Sequence, residues 1–162
     1  MRLFMRQKSE RMLLSMAFSN LENLYRQVIM DHYKNPRNKG LAKDSSYVSV
    51  HLKNPTCGDD VTVQVKAHER MIEDIRHEGV GCSICCSSAS VMSEVLKGKT
   101  FDETQMYTKN FYEIVKGADF DEELDMEDAV AYVGVSNFPA RIKCATIAWK
   151  AFEEAIEELQ EA

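Results

Sequence analysis

The chain has 162 residues, of which 44% are hydrophobic and 28% are charged, and its formal net charge is −6. This composition is typical of one soluble domain with its own hydrophobic core, and it excludes a miniprotein that depends on disulfides. The negative charge disfavours a nucleic-acid partner, and no apolar run approaches the roughly 20 residues of a membrane span. Residues 1–18 are basic and methionine-rich, without a secretory signal, and are expected to be a loosely ordered extension of a single domain spanning residues 19–162.

Hydrophobic periodicity predicts one helix, three strands and then a series of helices. The connections between the strands are short, which favours an antiparallel meander, and each strand has one apolar face that the helices must cover. The predicted fold class is therefore α+β, with a small three-stranded antiparallel sheet covered by helices. The predicted helices and strands are residues 19–34 with Ser19 as N-cap, Tyr47–Lys53, Val61–Ala67, Ile72–Gly79, Ser83–Lys97, Phe101–Lys116 and Ala140–Leu159.

The cysteine content is the most informative part of the composition. There are five cysteines, an odd number, and the absence of a secretory signal points to the reducing cytoplasm. In that compartment cysteines serve more often as metal ligands, nucleophiles or small buried residues than as disulfides. The five are Cys57, Cys82, Cys85, Cys86 and Cys144.

Three of these cysteines lie in a loop or near the start of a predicted helix. Cys57 is in the short connection Asn-Pro-Thr-Cys-Gly-Asp-Asp between two predicted strands, which indicates an exposed turn. Cys82 opens a predicted helix, where the positive end of the helix dipole favours the thiolate. Cys144 follows the cations Arg141 and Lys143 in the first turns of the last helix. We expect the three thiols to lie at one end of the domain.

A carboxylate can complete this group. Asp59 follows Cys57 by two residues and can turn toward the same point, and three thiolates with one carboxylate suit Zn²⁺ in tetrahedral geometry. The same residues could hold iron or part of an iron–sulfur cluster. The alternative is that the cysteines are small buried side chains and that Asp59 bonds only to its own turn backbone. The scattered spacing of the four residues leaves these interpretations open.

A different hypothesis uses the sequence Cys82-Ser83-Ile84-Cys85. A C-x-x-C pair at a helix start is the arrangement of thiol–disulfide exchange proteins. However, a thioredoxin-like fold needs βαβ crossovers, and Pro139 would have to supply its cis-proline while opening a helix. Cys85 and Cys86 are therefore predicted to be core or bystander residues.

Several separated motifs carry a family resemblance. Residues 54–59 read NPTCGD, residues 81–84 read GCSI, residues 141–150 read RIKCATIAWK, and residues 24–40 read LYRQVIMDHYKNPRNKG. In this order they resemble the IscU/NifU-N family of iron–sulfur cluster assembly proteins, over residues 19 to 158. Lys143 stands where IscU-type scaffolds have a histidine, and the interval between the second and third motif cysteines is longer than in IscU. Both departures are similar to the SufU branch of the family.

The resemblance implies a zinc protein in a sulfur relay. Such proteins accept persulfide sulfur from a SufS-type cysteine desulfurase, which carries pyridoxal phosphate, and a downstream Suf scaffold or an apo iron–sulfur protein would receive it. By this match Cys57 is the sulfur acceptor, Zn²⁺ is held by Cys57, Asp59, Cys82 and Cys144, and Arg141 acts at the site or on the partner as a second catalytic residue. The activity would be of the sulfurtransferase type. The alternative is a non-enzymatic scaffold that assembles a [2Fe–2S] cluster on the same three cysteines.

Other conspicuous residues are expected to have ordinary roles. Trp149 is predicted to lie in the core of the last helix. His32, just before a loop, is expected to face a partner or solvent. The acidic stretch Asp119–Asp128 is expected to form a solvated face.

Overall fold

The computed structural model describes residues 20–162, so the expected N-terminal extension and the predicted N-cap at Ser19 lie outside the described residues. No helix within the described part of the chain is both long and apolar enough to cross a bilayer. The elements are, in chain order, helix α1 (residues 20–34), strands β1 (Val48–Asn54), β2 (Asp59–His68) and β3 (Met71–Val80), helices α2 (Ser83–Leu96) and α3 (Phe101–Lys116), 3₁₀ segments at Glu127–Asn137 and Pro139–Arg141, and helix α4 (Ile142–Glu161).

The three strands form an antiparallel sheet in the order β1-β2-β3, which confirms the predicted meander and the α+β class. The alternation of apolar and polar residues along β2 explains why the helices cover one side of the sheet. Val61, Val63 and Val65 form the apolar face of β2 and are almost completely buried. Strand β2 begins two residues earlier than predicted. Its first residue, Asp59, is thereby paired with Asn54 at the end of β1.

Helix α4 covers the sheet by packing on β1 and β2, while α2 packs on β3 and on α4. Small residues on the inward face of α4, including Ala145 and Ala148, are completely buried and allow this close packing. Trp149 is also fully buried, and its ring stacks on Phe111 with centroids 4.0 Å apart and planes at 12°. The prediction that Trp149 belongs to the core is confirmed.

A buried serine fastens α2 to α4. Ser88 Oγ donates a hydrogen bond to the backbone carbonyl of Ala145 at 2.6 Å, and it accepts one from Trp149 Nε1 at 3.0 Å. Both partners belong to α4, and Ala145 is the residue after Cys144. Ser88 therefore fixes the position of α4 along α2 at the point where α4 carries its cysteine.

The placement of His32 differs from the expectation. Its side chain is 1% exposed, with Nδ1 2.8 Å from Ser90 Oγ and Nε2 2.7 Å from Asp128 Oδ2. The imidazole joins α1 to α2 and to the first 3₁₀ segment instead of facing solvent or a partner. The expectation was wrong because both partners are distant in sequence, by 58 and 96 residues.

The region between α3 and α4 contains the acidic stretch. All of its carboxylates are exposed, as expected for a solvated face, and Asp128 at its end also binds His32. The chain then runs through two 3₁₀ segments, and α4 begins at Ile142, two residues after the predicted start. The difference arises because Pro139–Arg141 forms a 3₁₀ turn ahead of the α-helix.

Candidate metal site

Cys57 lies on the tight turn between β1 and β2. The turn is closed by the backbone carbonyl of Asn54, which accepts hydrogen bonds from the N–H groups of Cys57 at 3.3 Å and Gly58 at 2.9 Å. Gly58 has a φ of +72°, a left-handed conformation that glycine adopts without strain. The Cys57 side chain is half-buried at this end of the sheet. Sequence reasoning missed the role of Asn54, although an asparagine before a Pro-x-Cys-Gly turn is a usable signal.

Asp59 points into the same end of the sheet. Its side chain is 1% exposed, and Oδ1 accepts a hydrogen bond from the backbone N–H of Cys82 at 3.1 Å. The other oxygen, Oδ2, is buried and has no hydrogen-bond partner within residues 20–162. The contact requires a glycine at the preceding position, since a Cβ on Gly81 would lie 2.4 Å from Oδ1. A buried carboxylate oxygen without a partner is costly, which makes it a good ligand for a cation.

Two cysteines at helix starts approach the turn. Cys82 is the N-cap of α2 and is half-buried, whereas Cys144 lies in the first turn of α4 and is completely buried. The Cys57 and Cys144 sulfurs and a carboxylate oxygen of Asp59 all lie within 4.8 Å of one another. The Cys82 thiol lies beside this group and interacts with that of Cys144. The structure thus brings three of the four expected ligands within 4.8 Å of one another, and Cys82 lies outside that group but next to it.

The structure does not favour the Cys144 thiolate that the two nearby cations led us to expect. Burial, reinforced by the neighbouring Asp59 and Cys57, raises the pKa of the Cys144 thiol. Of the two cations named from the sequence, Lys143 is exposed. The Arg141 guanidinium interacts with Cys144 and Cys82, which raises the pKa of Arg141. Burial therefore affects the pKa of Cys144 more strongly than the nearby cations do. Thiols and a carboxylate that are shielded from water in this way are stabilised in their charged forms by a bound metal cation.

The donor atoms fit Zn²⁺. Three sulfurs and one carboxylate oxygen are ligands that zinc accepts in four-coordinate sites, and the unpartnered Oδ2 of Asp59 supplies the oxygen. Thiolate-rich sets also suit iron and iron–sulfur clusters.

The two remaining cysteines lie next to this group. Cys85 is completely buried, in agreement with its predicted core position. Cys86 is half-buried and lines a cleft of about 240 Å³ together with Lys39 and Glu78. A hydrogen bond from Cys85 lowers the pKa of Cys86 to about 7. The meander topology and the absence of cis peptides among the described residues, Pro139 included, do not support a thioredoxin-like fold.

Comparison with known proteins gives a consistent assignment. A sequence profile of the NifU-like N-terminal domain matches residues 24–161. The zinc-dependent sulfurtransferase SufU of Bacillus subtilis is 49% identical over 142 residues, which cover 87% of this chain and 95% of that protein. The iron–sulfur cluster assembly scaffold protein IscU of Streptococcus pyogenes is 40% identical over 142 residues, with 88% of each chain covered.

Solved structures agree with these sequence matches. A crystal structure from Fervidobacterium islandicum, described as an iron–sulfur cluster assembly scaffold protein for the SUF system, superposes with a TM-score of 0.73 at 34% identity. The match covers 79% of this chain and 93% of that chain. On the profile, the sequence identities and the shared fold, the chain belongs to the NifU-like N-terminal domain family, the IscU/NifU-N family of iron–sulfur cluster assembly proteins.

Proposed function

We propose that this protein is a zinc-dependent sulfur acceptor in which Cys57 receives persulfide sulfur from a SufS-type cysteine desulfurase. The observation that carries the proposal is the meeting of two thiols and a buried carboxylate at one end of the sheet, where the Cys57, Asp59 and Cys144 donor atoms lie within 4.8 Å of one another. The 49% identity to a zinc-dependent sulfurtransferase supports the same function.

The zinc ligands in this proposal are Cys57, Asp59, Cys82 and Cys144. Bound zinc would keep the thiols deprotonated at neutral pH, although burial of Cys144 alone favours the neutral thiol. Asp59 is prepared to bind, because the Cys82 N–H holds Oδ1 and leaves Oδ2 free for the metal.

Cys57 is the ligand best suited to leave the metal. It is half-buried and is followed on the turn by Gly58, where no atom lies within 4 Å of the position that a Cβ would occupy. Asp59 and Cys144 are almost completely buried, and Cys82 is fixed by its position at the start of α2. The three can retain the metal while the turn carries the Cys57 thiolate outward.

The transfer step is a thiol exchange at sulfur. The Cys57 thiolate attacks the terminal sulfur of the desulfurase persulfide, R–S–S–H, and a new S–S bond forms on Cys57. The bond between the two sulfurs of the donor breaks, so the desulfurase leaves as the thiolate R–S⁻ and Cys57 becomes a persulfide. A downstream Suf scaffold or an apo iron–sulfur protein in the cytoplasm would then take the sulfur.

Arg141 is proposed to assist this exchange. Its guanidinium is exposed and interacts with Cys144 and Cys82, so it adds positive charge at the entrance of the site. A cation there favours anionic sulfur during the exchange. Arg141→Ala should therefore slow sulfur transfer and leave zinc content unchanged, while Arg141→Lys should recover part of the rate.

The decisive experiment compares Cys57→Ala with Cys86→Ala as a matched control. Each protein is mixed with a SufS-type desulfurase and cysteine, and the rates of alanine and sulfide formation and the mass of the protein are measured. We expect wild type and Cys86→Ala to stimulate the desulfurase and to gain the mass of sulfur on Cys57. Cys57→Ala should do neither. Full stimulation by Cys57→Ala would overturn the proposal.

A scaffold function is the second candidate, because the chain is 40% identical to an IscU scaffold protein and carries the thiols of Cys57 and Cys144 in one group with Asp59. It would bind a [2Fe–2S] cluster on Cys57, Cys82 and Cys144. Anaerobic reconstitution with iron and sulfide should then give a coloured cluster that moves to an apo protein. Continued zinc binding without cluster formation would favour the sulfur acceptor instead.

A further inference from the structure

Two complementary polar atoms are left without partners at the end of the sheet that carries the metal site. Asn54 is 8% exposed, and its amide nitrogen Nδ2 is buried without a hydrogen-bond partner in residues 20–162. The same is true of Oδ2 of Asp59. Among the described residues only one other side chain, that of Thr108 in α3, carries such an atom. A buried amide donor and a buried carboxylate acceptor that both lack a partner are costly, so their occurrence at one place needs an explanation.

The strand register places these two side chains opposite each other. Asn54, the last residue of β1, is the partner of Asp59, the first residue of β2. Because side chains alternate between the two faces of a sheet, this pair continues the row of Leu52 and Val61 on the face that the helices cover. The β-carbons of directly opposed residues are about 4.5–5.5 Å apart. A carboxamide and a carboxylate on such a pair are long enough to meet.

The Asn54 carboxamide is held in its present orientation by one long contact. Its Oδ1 accepts a hydrogen bond from the backbone N–H of Thr56 at 3.3 Å, which is longer than most bonds of this type. The turn itself is closed by the backbone carbonyl of Asn54, which accepts from the N–H groups of Cys57 and Gly58. The side chain can therefore turn its Nδ2 group toward Asp59 while the turn that carries Cys57 stays closed.

We propose that Asn54 is a positioning residue of the metal site, whose Nδ2 group donates a hydrogen bond to Oδ2 of Asp59 when that oxygen binds the metal. The inference rests on the proposed function, in which Asp59 is a zinc ligand. A carboxylate oxygen has two lone pairs, so one can bind the cation while the other accepts the N–H. Carboxylates that ligate metals are commonly held by such hydrogen bonds, which fix their orientation.

This bond completes the support of Asp59. Oδ1 already accepts the backbone N–H of Cys82 at 3.1 Å, so the carboxylate is held through both oxygens, from α2 on one side and from β1 on the other. The support matters most when Cys57 leaves the metal, because Asp59 is then one of three proposed donors that remain. Asn54 lies at the end of a paired strand rather than on the turn that moves, so it keeps this donor in place during sulfur transfer.

The test compares Asn54→Ser with Asn137→Ser, a control at an exposed position. Serine keeps an oxygen that can accept the Thr56 N–H but has no amide donor. Competition with a chromophoric chelator measures zinc affinity, which should fall about tenfold or more in Asn54→Ser and stay unchanged in the control. The melting temperature of the metal-free protein should change little, because Nδ2 makes no bond there.

A second measurement follows the side-chain amide of Asn54 directly. NMR spectra of isotope-labelled full-length wild type are recorded with and without zinc, and the side-chain amide signals are assigned through the backbone. The Asn54 signal should shift when zinc is added, because its N–H gains an acceptor, whereas the Asn137 signal should not. A side chain that only supports the turn would give no such response to the metal.

The competing acceptor for Nδ2 is the Cys57 sulfur, which lies within 4.8 Å of an Asp59 carboxylate oxygen. The same spectra of Cys57→Ala in excess zinc separate the two. A shift of the Asn54 signal that persists in this variant supports Asp59 as the acceptor, and a shift that disappears assigns the bond to the sulfur and overturns the pairing.

The remaining outcomes are also decisive. Equal zinc affinity in Asn54→Ser and wild type, or an Asn54 amide signal that does not respond to zinc, would show that Asn54 does not position the ligand, while the proposed zinc site would stand. If Asn54→Ser fails to fold, the amide signals of wild type and Cys57→Ala still decide. If wild type binds no zinc, the proposed function fails, and the role of Asn54 fails with it.

Discussion

Asp59 and Cys82 are joined by a 3.1 Å hydrogen bond from the backbone N–H of the cysteine to Oδ1 of the aspartate. The contact ties the first residue of β2 to the N-cap of α2, which are 23 residues apart in the chain. It satisfies one of the free N–H groups of the helix start and orients the carboxylate at the same time. A carboxylate held in this way loses little freedom when it binds a metal, so the hydrogen bond prepares the site.

Gly81→Ala should disrupt that arrangement. The new Cβ would lie 2.4 Å from Asp59 Oδ1, so the carboxylate would have to move away from both the Cys82 N–H and the proposed zinc position. We expect zinc affinity to fall by about 10- to 100-fold, as is typical when the support of a ligand is lost. Competition with a chelator of known affinity measures the change.

The matched control for this variant is Gly98→Ala. Gly98 also has a positive φ, +84°, but no atom lies within 4 Å of its Cβ position and it is far from the thiols. Gly98→Ala should lower the free energy of unfolding, because alanine is strained at a positive φ, and it should leave zinc affinity unchanged. Equal zinc affinity in both variants would show that the contact with Asp59 does not support the metal.

Ser88→Ala should destabilise the domain by about 1–3 kcal/mol, because Trp149 Nε1 would be left in the core without its hydrogen-bond acceptor. Urea unfolding followed by the fluorescence of Trp149, the single tryptophan, measures this change. Ser45→Ala, at an exposed position, should change the free energy of unfolding by much less. A Ser88→Ala protein as stable as wild type would contradict the role given to this contact.

His32→Ala should also destabilise the protein by about 1–3 kcal/mol, since it leaves the buried hydroxyl of Ser90 without one of its partners and removes the link to Asp128. His68→Ala is the control, because the His68 side chain is 77% exposed. Chemical denaturation of the two variants gives the comparison. If His32→Ala is as stable as His68→Ala, the contacts of His32 with Ser90 and Asp128 do not stabilise the fold.

His77 should make stability depend on pH. Burial lowers its pKa below 6.5, with Lys39 and Arg76 acting in the same direction and Glu78 opposing them. The unfolded chain therefore binds a proton at a higher pH than the folded protein does, and stability falls as the pH drops through about 6.5 toward the lower folded pKa. His77→Gln keeps a side-chain N–H that can donate to the Arg37 carbonyl, the partner of His77 Nε2.

Unfolding free energies at about pH 7.5, 6.5 and 5.5 test this prediction. The loss of stability on acidification should be smaller in His77→Gln than in wild type, whereas the exposed His68→Gln should behave like wild type. The same slope in all three proteins would rule out a contribution from His77.

Zinc removal should lower the melting temperature. At free zinc about 100 times above its dissociation constant, binding to the folded state alone adds about 2.7 kcal/mol. For a chain of this size that corresponds to roughly 5–10 °C. Calorimetry before and after chelation gives the shift, with elemental analysis to verify that the metal is gone. An unchanged melting temperature after complete removal would mean that no metal stabilises the fold.

Most of the fold was predictable because its signals are local. Strand alternation identified the three strands, and Gly117 marked the end of α3, where it has a φ of +73°. His32 was not predictable in the same way. Nothing near it in sequence indicates that Ser90 and Asp128 will enclose it, so only tertiary structure reveals its burial.

The candidate site shows the same division between local and distant information. The Cys57 turn and the helix start at Cys82 can be recognised from neighbouring residues, and the family motifs unite them with Cys144. The charge state of Cys144 could not be predicted, because the nearby cations are visible in the sequence whereas the burial that outweighs them is not. The support from Ser88 depends on contacts with α4, 57 and 61 residues away in the chain, that no spacing pattern encodes.

The chain order of the donors has a consequence for biosynthesis. Cys57, Asp59 and Cys82 leave the ribosome before Cys144, and α4 is the last helix made. That helix brings the completely buried donor and also the cover for β1 and β2. A nascent chain or a fragment that ends before α4 therefore has neither a finished core nor a full set of donors. If zinc binds as proposed, its stable uptake has to follow the synthesis of α4.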